Sequence, residues 1–152
     1  MKKLFLLVVA ITVMCFSSVA MAASNSQVLA KEEAAVSQTM SALTGNTSYD
    51  VVSQEFAPEL VASLDKKGLA DMKKEVRAKL GKMTDMRLVA IQKFNDGDRV
   101  TYLASFSKEQ LVKVEFVFKI DGDNVKVWNF SLVPMEQQAA PAEQSNAQAE
   151  QK

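Results

Sequence analysis

The sequence predicts an α+β fold: N-terminal helices packed on a curved four-stranded antiparallel meander. Three observations carry that expectation. Apolar residues recur every three to four positions from Gln27 to Leu80, then every second position from Thr84 to Val133, which are the periods of helix and strand. Short polar turns separate the alternating runs, as hairpins between neighbouring strands require. The helices come first and are the only elements available to cover the sheet's apolar face.

Before the first helix lies a different pattern. Met1-Lys2-Lys3 is a short basic start, Leu4 to Met14 is apolar save Thr12, and Val19-Ala20-Met21-Ala22 offers small side chains ahead of Ala23. That order is an export signal cleaved between Ala22 and Ala23. A stable membrane span is not expected, because a spanning helix needs about 20 strongly apolar residues and the second half of this segment is small and polar. A lipoprotein anchored through Cys15 is the alternative, although Met14 stands where such signals carry a small residue. The expected division is signal peptide 1–22, a single domain 23–136 and a tail 137–152.

The first helix begins near Gln27. Leu29, Val36, Met40 and Leu43 share one face, Lys31, Glu32 and Glu33 are assigned to the other, and Gly45-Asn46 stops the helix. Val52, Phe56, Leu60 and Leu64 then repeat every four residues across Pro58, which predicts two short helices, Tyr49–Phe56 and Pro58–Leu64. Asp65 to Gly68 reads as a loop. A further helix presents Leu69, Met72, Val76 and Leu80 on one side and closes at Gly81.

Four strands follow: Thr84–Phe94, Arg99–Ser107, Leu111–Ile120 and Val125–Val133. Asn95-Asp96-Gly97-Asp98 and Asp121-Gly122-Asp123-Asn124 read as hairpin turns in which glycine accepts positive φ. In the third strand Val112, Val114, Phe116, Phe118 and Ile120 face one way, with Lys113, Glu115 and Lys119 opposite. Pro134 ends the last strand. From Gln137 the chain is Gln, Ala, Glu, Ser and Asn with no aromatic residue, a composition expected to stay disordered.

Composition narrows the chemistry. The chain has no histidine and one cysteine, Cys15, inside the signal. Serine or cysteine nucleophiles activated by histidine are therefore excluded, as are Cys/His zinc sites. Loss of Lys2 and Lys3 with the signal leaves 16 basic and 18 acidic residues, a net charge of −2 on 130 residues. With no basic stripe, nucleic acid is not an expected partner. No metal and no cofactor is expected; the acidic turns lack the ligand spacing of a calcium loop.

The helices followed by a long meander resemble the nuclear transport factor 2-like superfamily, above all its small exported bacterial members of unassigned function. The shared features are Tyr49-Asp50, Phe56, Gly81, Val100-Thr101-Tyr102 and the final Val127-Trp128-Asn129-Phe130, over Gln27 to Val133. The resemblance implies a cone-like fold that hosts enzymes, transport factors and accessory domains alike. Catalytic members often carry an Asp-His pair in the cone, and this chain lacks the histidine.

The expected function is an exported, periplasmic or secreted, non-catalytic binding or accessory domain, with no catalytic residue assigned. Tyr49, Phe56, Tyr102, Phe116 and Trp128 are the candidate lining of an apolar pocket between helices and sheet, or else core. Expected partners are a small apolar ligand or an envelope protein, with a homodimer through the outer sheet face. Two alternatives stand. One is a small hydrolase or isomerase using Asp, Glu or Tyr, with Asp50 near Tyr49 and Tyr102 as acid–base group. The other is an envelope protein-interaction factor.

Overall fold

The computed structural model describes residues 26–135. The predicted signal with its Ala22/Ala23 cleavage site and Cys15, and the predicted tail, lie outside the described residues. Helix α1 spans 26–44. It is followed by α2 (Tyr49–Val52), a 3₁₀ turn (Ser53–Glu55), α3 (Pro58–Ser63) and α4 (Lys66–Lys79). Four strands complete the chain: β1 (Met83–Lys93), β2 (Gly97–Phe106), β3 (Val112–Asp121) and β4 (Asn124–Pro134). They form one antiparallel sheet in the order β1-β2-β3-β4. The fold is α+β, with the helices N-terminal to the strands.

The core lies between the helices and one sheet face. Val100, Tyr102, Ala104 and Phe106 of β2, Val112, Val114, Phe116 and Phe118 of β3, and Val125 and Val127 of β4 meet Val36, Met40 and Leu43 of α1 there. Their alternation with exposed or half-buried residues is the period-2 signal of a sheet wet on one side.

Three local details differ from the sequence reading. The expected Tyr49–Phe56 helix ends at Val52 and tightens into the 3₁₀ turn, leaving Phe56 and Ala57 extended. Pro58 disfavours helical backbone at the residue before it, and the freed segment bonds β4 instead: Ala57 N–H donates to Val127 C=O at 2.8 Å. The expected loop at Asp65–Gly68 is the first turn of α4. Asp65 caps it by accepting from Gly68 N–H at 2.6 Å, so an otherwise orphaned amide is satisfied.

The third difference concerns Gly97. Positive φ occurs among described glycines at Gly81 (87°), past the end of α4, and at Gly122 (57°) in the β3–β4 turn, and not at Gly97. Gly97 is required by space. It sits opposite Lys119 in the ladder, and a Cβ there would lie 1.9 Å from the Phe118 carbonyl oxygen.

Gly97→Ala should therefore destabilise the fold by about 3 kcal/mol, at the upper end of overpacking costs, as measured by urea unfolding. Gly122→Ala, which meets no atom within 4 Å, should cost about 1 kcal/mol through its backbone alone.

Candidate functional site

Helix α1 carries the site. Its buried positions are Val28, Glu32, Ala35, Val36, Thr39, Met40, Ala42 and Leu43. Steps of three and four connect them, so Glu32 falls midway between Val28 and Val36 on the inward face. Glu32, expected on the outer face, is instead buried, at 1% exposure. Tracing the face from Leu29 straight to Val36 skips a full helical turn, and Glu32 occupies that turn.

Asp98 faces Glu32 from β2 and is itself 2% exposed. It is not a turn residue, as the sequence suggested, but the first inward residue of the series continued by Val100 and Tyr102. Lys93, across the ladder on β1, pairs with Asp98 at 2.5 Å. Ionised, Glu32 has no hydrogen-bond donor for either oxygen. Protonated, it donates to the Asp98 carboxylate. Burial first, and then Asp98, push the Glu32 carboxyl up from 4.5 to about 7, because each disfavours a second negative charge. Lys93 opposes this only in part. An opening lined by Val28, Lys93, Asn95, Asp98 and Gly122 leads from solvent to the Lys93–Asp98 pair.

Further along α1 an open groove of about 440 Å³ separates the helix from β1 and β2. Val36, Met40, Met83, Met86 and Tyr102 supply its apolar surface, and Glu33, Ser37, Ser41 and Thr44 its polar groups. The Tyr102 hydroxyl is held above its ordinary pKa by burial and then by the Glu33 and Glu32 charges, so it remains a neutral hydroxyl near pH 7. Thioether side chains conform to ligands of varied shape. The groove can hold a compact apolar group with polar contacts along the helix side.

The structure divides the aromatic set expected to line a pocket. Phe56 and Phe116 are buried and belong to a continuous aromatic packing. Phe130 lies 6.1 Å from Phe56 and 5.9 Å from Phe116 between ring centroids, and Tyr102 meets Phe116 edge-on at 6.4 Å. Tyr49 is half-buried and donates its hydroxyl to Leu64 C=O at 2.9 Å. Of the five, Tyr102 lines the groove. Trp128 is 42% exposed on the outer face. A bulge in β4 turns both Val127 and Phe130 inward although they are three residues apart, and Trp128 is the residue sent outward.

On that outer face Trp128 and Phe94 flank a small hollow with Val117, beneath Lys119 and Arg99 respectively. Glu115 pairs there with Lys113 at 3.6 Å and Arg99 at 3.8 Å, the solvated pairing its neighbours suggest. Asp50 is exposed and faces Lys66 at 3.9 Å, an arrangement that leaves it outside the groove lining. Among the described residues no group of three or more His, Cys, Asp or Glu could hold a metal ion, and no helix is long and apolar enough to cross a membrane. Comparison with family models, curated proteins and solved structures finds no match.

The Glu32 carboxyl sets a pH dependence. Its folded pKa lies above the unfolded value, so the folded chain holds the proton more tightly. That contribution is present in full below about pH 4.5 and is lost as pH rises through about 7. Between pH 5 and 8 the free energy of unfolding should fall by about 2–3 kcal/mol, at 1.36 kcal/mol per unit. Glu32→Gln keeps a donor for Asp98 and cannot ionise. Its unfolding free energy should stay level over this range and exceed that of the parent at pH 8, by urea titration at each pH.

Proposed function

We propose that this chain is an exported, non-catalytic binding domain that takes a small, largely apolar ligand in the groove between α1 and the β1–β2 surface. The carrying observation is the groove itself: about 440 Å³, lined by apolar Val36, Met40, Met83, Met86 and Tyr102 together with the polar Ser37, Ser41 and Thr44. Its size and its mix of apolar wall with few polar groups are those of ligand sites. Glu33 at the same rim favours a neutral or cationic ligand over an anion.

Two further points support this reading. The helices followed by a meander resemble the nuclear transport factor 2-like superfamily, a cone-like fold that hosts transport factors and accessory domains as well as enzymes. The absence of histidine from the sequence removes the commonest general base near neutral pH. Delivery to the periplasm is part of the proposal and rests on the Met1–Ala22 pattern.

The neutral fluorophore N-phenyl-1-naphthylamine tests it. The protein should bind the probe saturably. Ser37→Trp, which places a large side chain at the groove, should weaken binding about tenfold or more, as loss of roughly 60 Å² of apolar contact implies, with thermal unfolding unchanged. Absence of saturable binding, or binding indifferent to Ser37→Trp, contradicts the proposal.

A further inference from the structure

The two edges of the sheet are treated differently. Along β4 the chain around residues 54–57 covers the edge: Ala57 N–H bonds Val127 C=O, Phe56 bridges Val127, and Lys126 Nζ donates to Gln54 C=O at 2.5 Å. β1 is the opposite edge and pairs with β2 alone. It is also the least buried strand, with Leu88 44% and Val89 54% exposed. A bare, partly apolar strand edge is a template for another strand.

The phase of the ladder tells which backbone groups are free. Phe94 N–H bonds Gly97 C=O at the turn, and Ser107 N–H bonds Lys82 C=O at the far end, both at 2.8 Å. Counting inward from either end, through bulges at Thr84 and Val89, reaches the same result: Met86 and Leu88 turn their N–H and C=O groups toward the open edge. Between the bulges the regular stretch is short, from Asp85 to Leu88.

That stretch is complementary to itself. Asp85 and Arg87 lie on the outer face, opposite Ser105 and Leu103, and among the described residues neither takes part in an ion pair. A two-fold axis through Met86 sets Asp85 against Arg87 of a second copy, and Arg87 against its Asp85. The two Met86 residues then exchange backbone hydrogen bonds. Asp85 and Arg87 fall at the closer, non-hydrogen-bonded positions, where cross-strand charges interact best. Pairing centred on Leu88 would bring the Val89 bulge into the new ladder.

We propose that β1 pairs antiparallel with β1 of a second copy of this chain, centred on Met86, to give a two-fold dimer with one continuous eight-stranded sheet. The bulges on either side confine pairing to one register, and an isologous contact of this kind closes on itself. The proposal does not rest on the groove reading, although Met86 belongs to both, and it is distinct from a dimer through the outer sheet face.

Sedimentation velocity over a concentration series tests the proposal with three charge variants. The protein should show a monomer–dimer equilibrium. Asp85→Arg, and separately Arg87→Asp, should weaken it about tenfold or more by setting like charges across both symmetry-related positions. The double variant Asp85→Arg/Arg87→Asp should restore it. Thermal unfolding, followed by circular dichroism at a concentration where the protein is monomeric, should be unchanged in all three, since these side chains are exposed. Met86→Pro, which removes an edge-facing N–H while sparing the β2 ladder, should be monomeric. A protein monomeric at every concentration overturns the proposal, and so does a dimer indifferent to Asp85→Arg or a double variant that fails to recover.

Discussion

Helix α1 is seated on the sheet across a carboxyl that has no donor of its own. Glu32 reaches the core at 1% exposure and meets Asp98, already engaged by Lys93. Two buried carboxylates and one ammonium do not balance, and with the Glu32 carboxyl pushed up to about 7 a proton supplies the missing charge below that pH. Everything else about the helix follows from the same seating. Val28, Ala35, Val36, Met40 and Leu43 enter the core because the stripe containing Glu32 faces inward. Lys31, one residue along, reaches the Asp123 carbonyl in the β3–β4 turn. Glu33, the residue after, falls at the groove. A helix rotated to expose Glu32 would withdraw Val28 and Val36 with it, because the three are four residues apart.

One helix cannot cover an inner face four strands wide. β2 and β3 bury every inward residue from Val100 to Phe106 and from Val112 to Phe118, whereas β1 leaves most of its length exposed. The short helices and the segment around Phe56 close the β4 side. β1 is thus the strand with no buried residue, and there the groove and the bare strand edge both arise. They share Met86: its side chain lines the groove and its backbone faces the open edge. The groove and the bare strand edge are in this sense two consequences of a single shortfall of cover.

Much of the architecture was legible in the sequence, because period and punctuation report backbone geometry directly. The third strand was readable residue by residue, from Val112 to Ile120, and Gly81 marked the end of α4. The candidate site was less legible. Glu32 is in phase with Val28 and Val36, and Asp98 with Val100 and Tyr102, but a carboxylate at an inward position reads as surface until the position of each partner is known. Trp128 was misplaced by a single-residue bulge, which reverses the alternation beyond it and leaves no mark in composition. The role of Gly97 was hidden for a similar reason. Its constraint comes from the Phe118 carbonyl on the neighbouring strand, and not from its own φ.

The seating of α1 by a shared proton can be observed at the atom concerned. Carbon-13 NMR of the side-chain carboxyl carbons, followed from pH 4 to 9, reads the titration of Glu32 directly. A midpoint near 7, moved downward in Asp98→Asn, is the predicted result. A midpoint near 4.5, the ordinary value of a solvated glutamate, or one unmoved by Asp98→Asn, would contradict it.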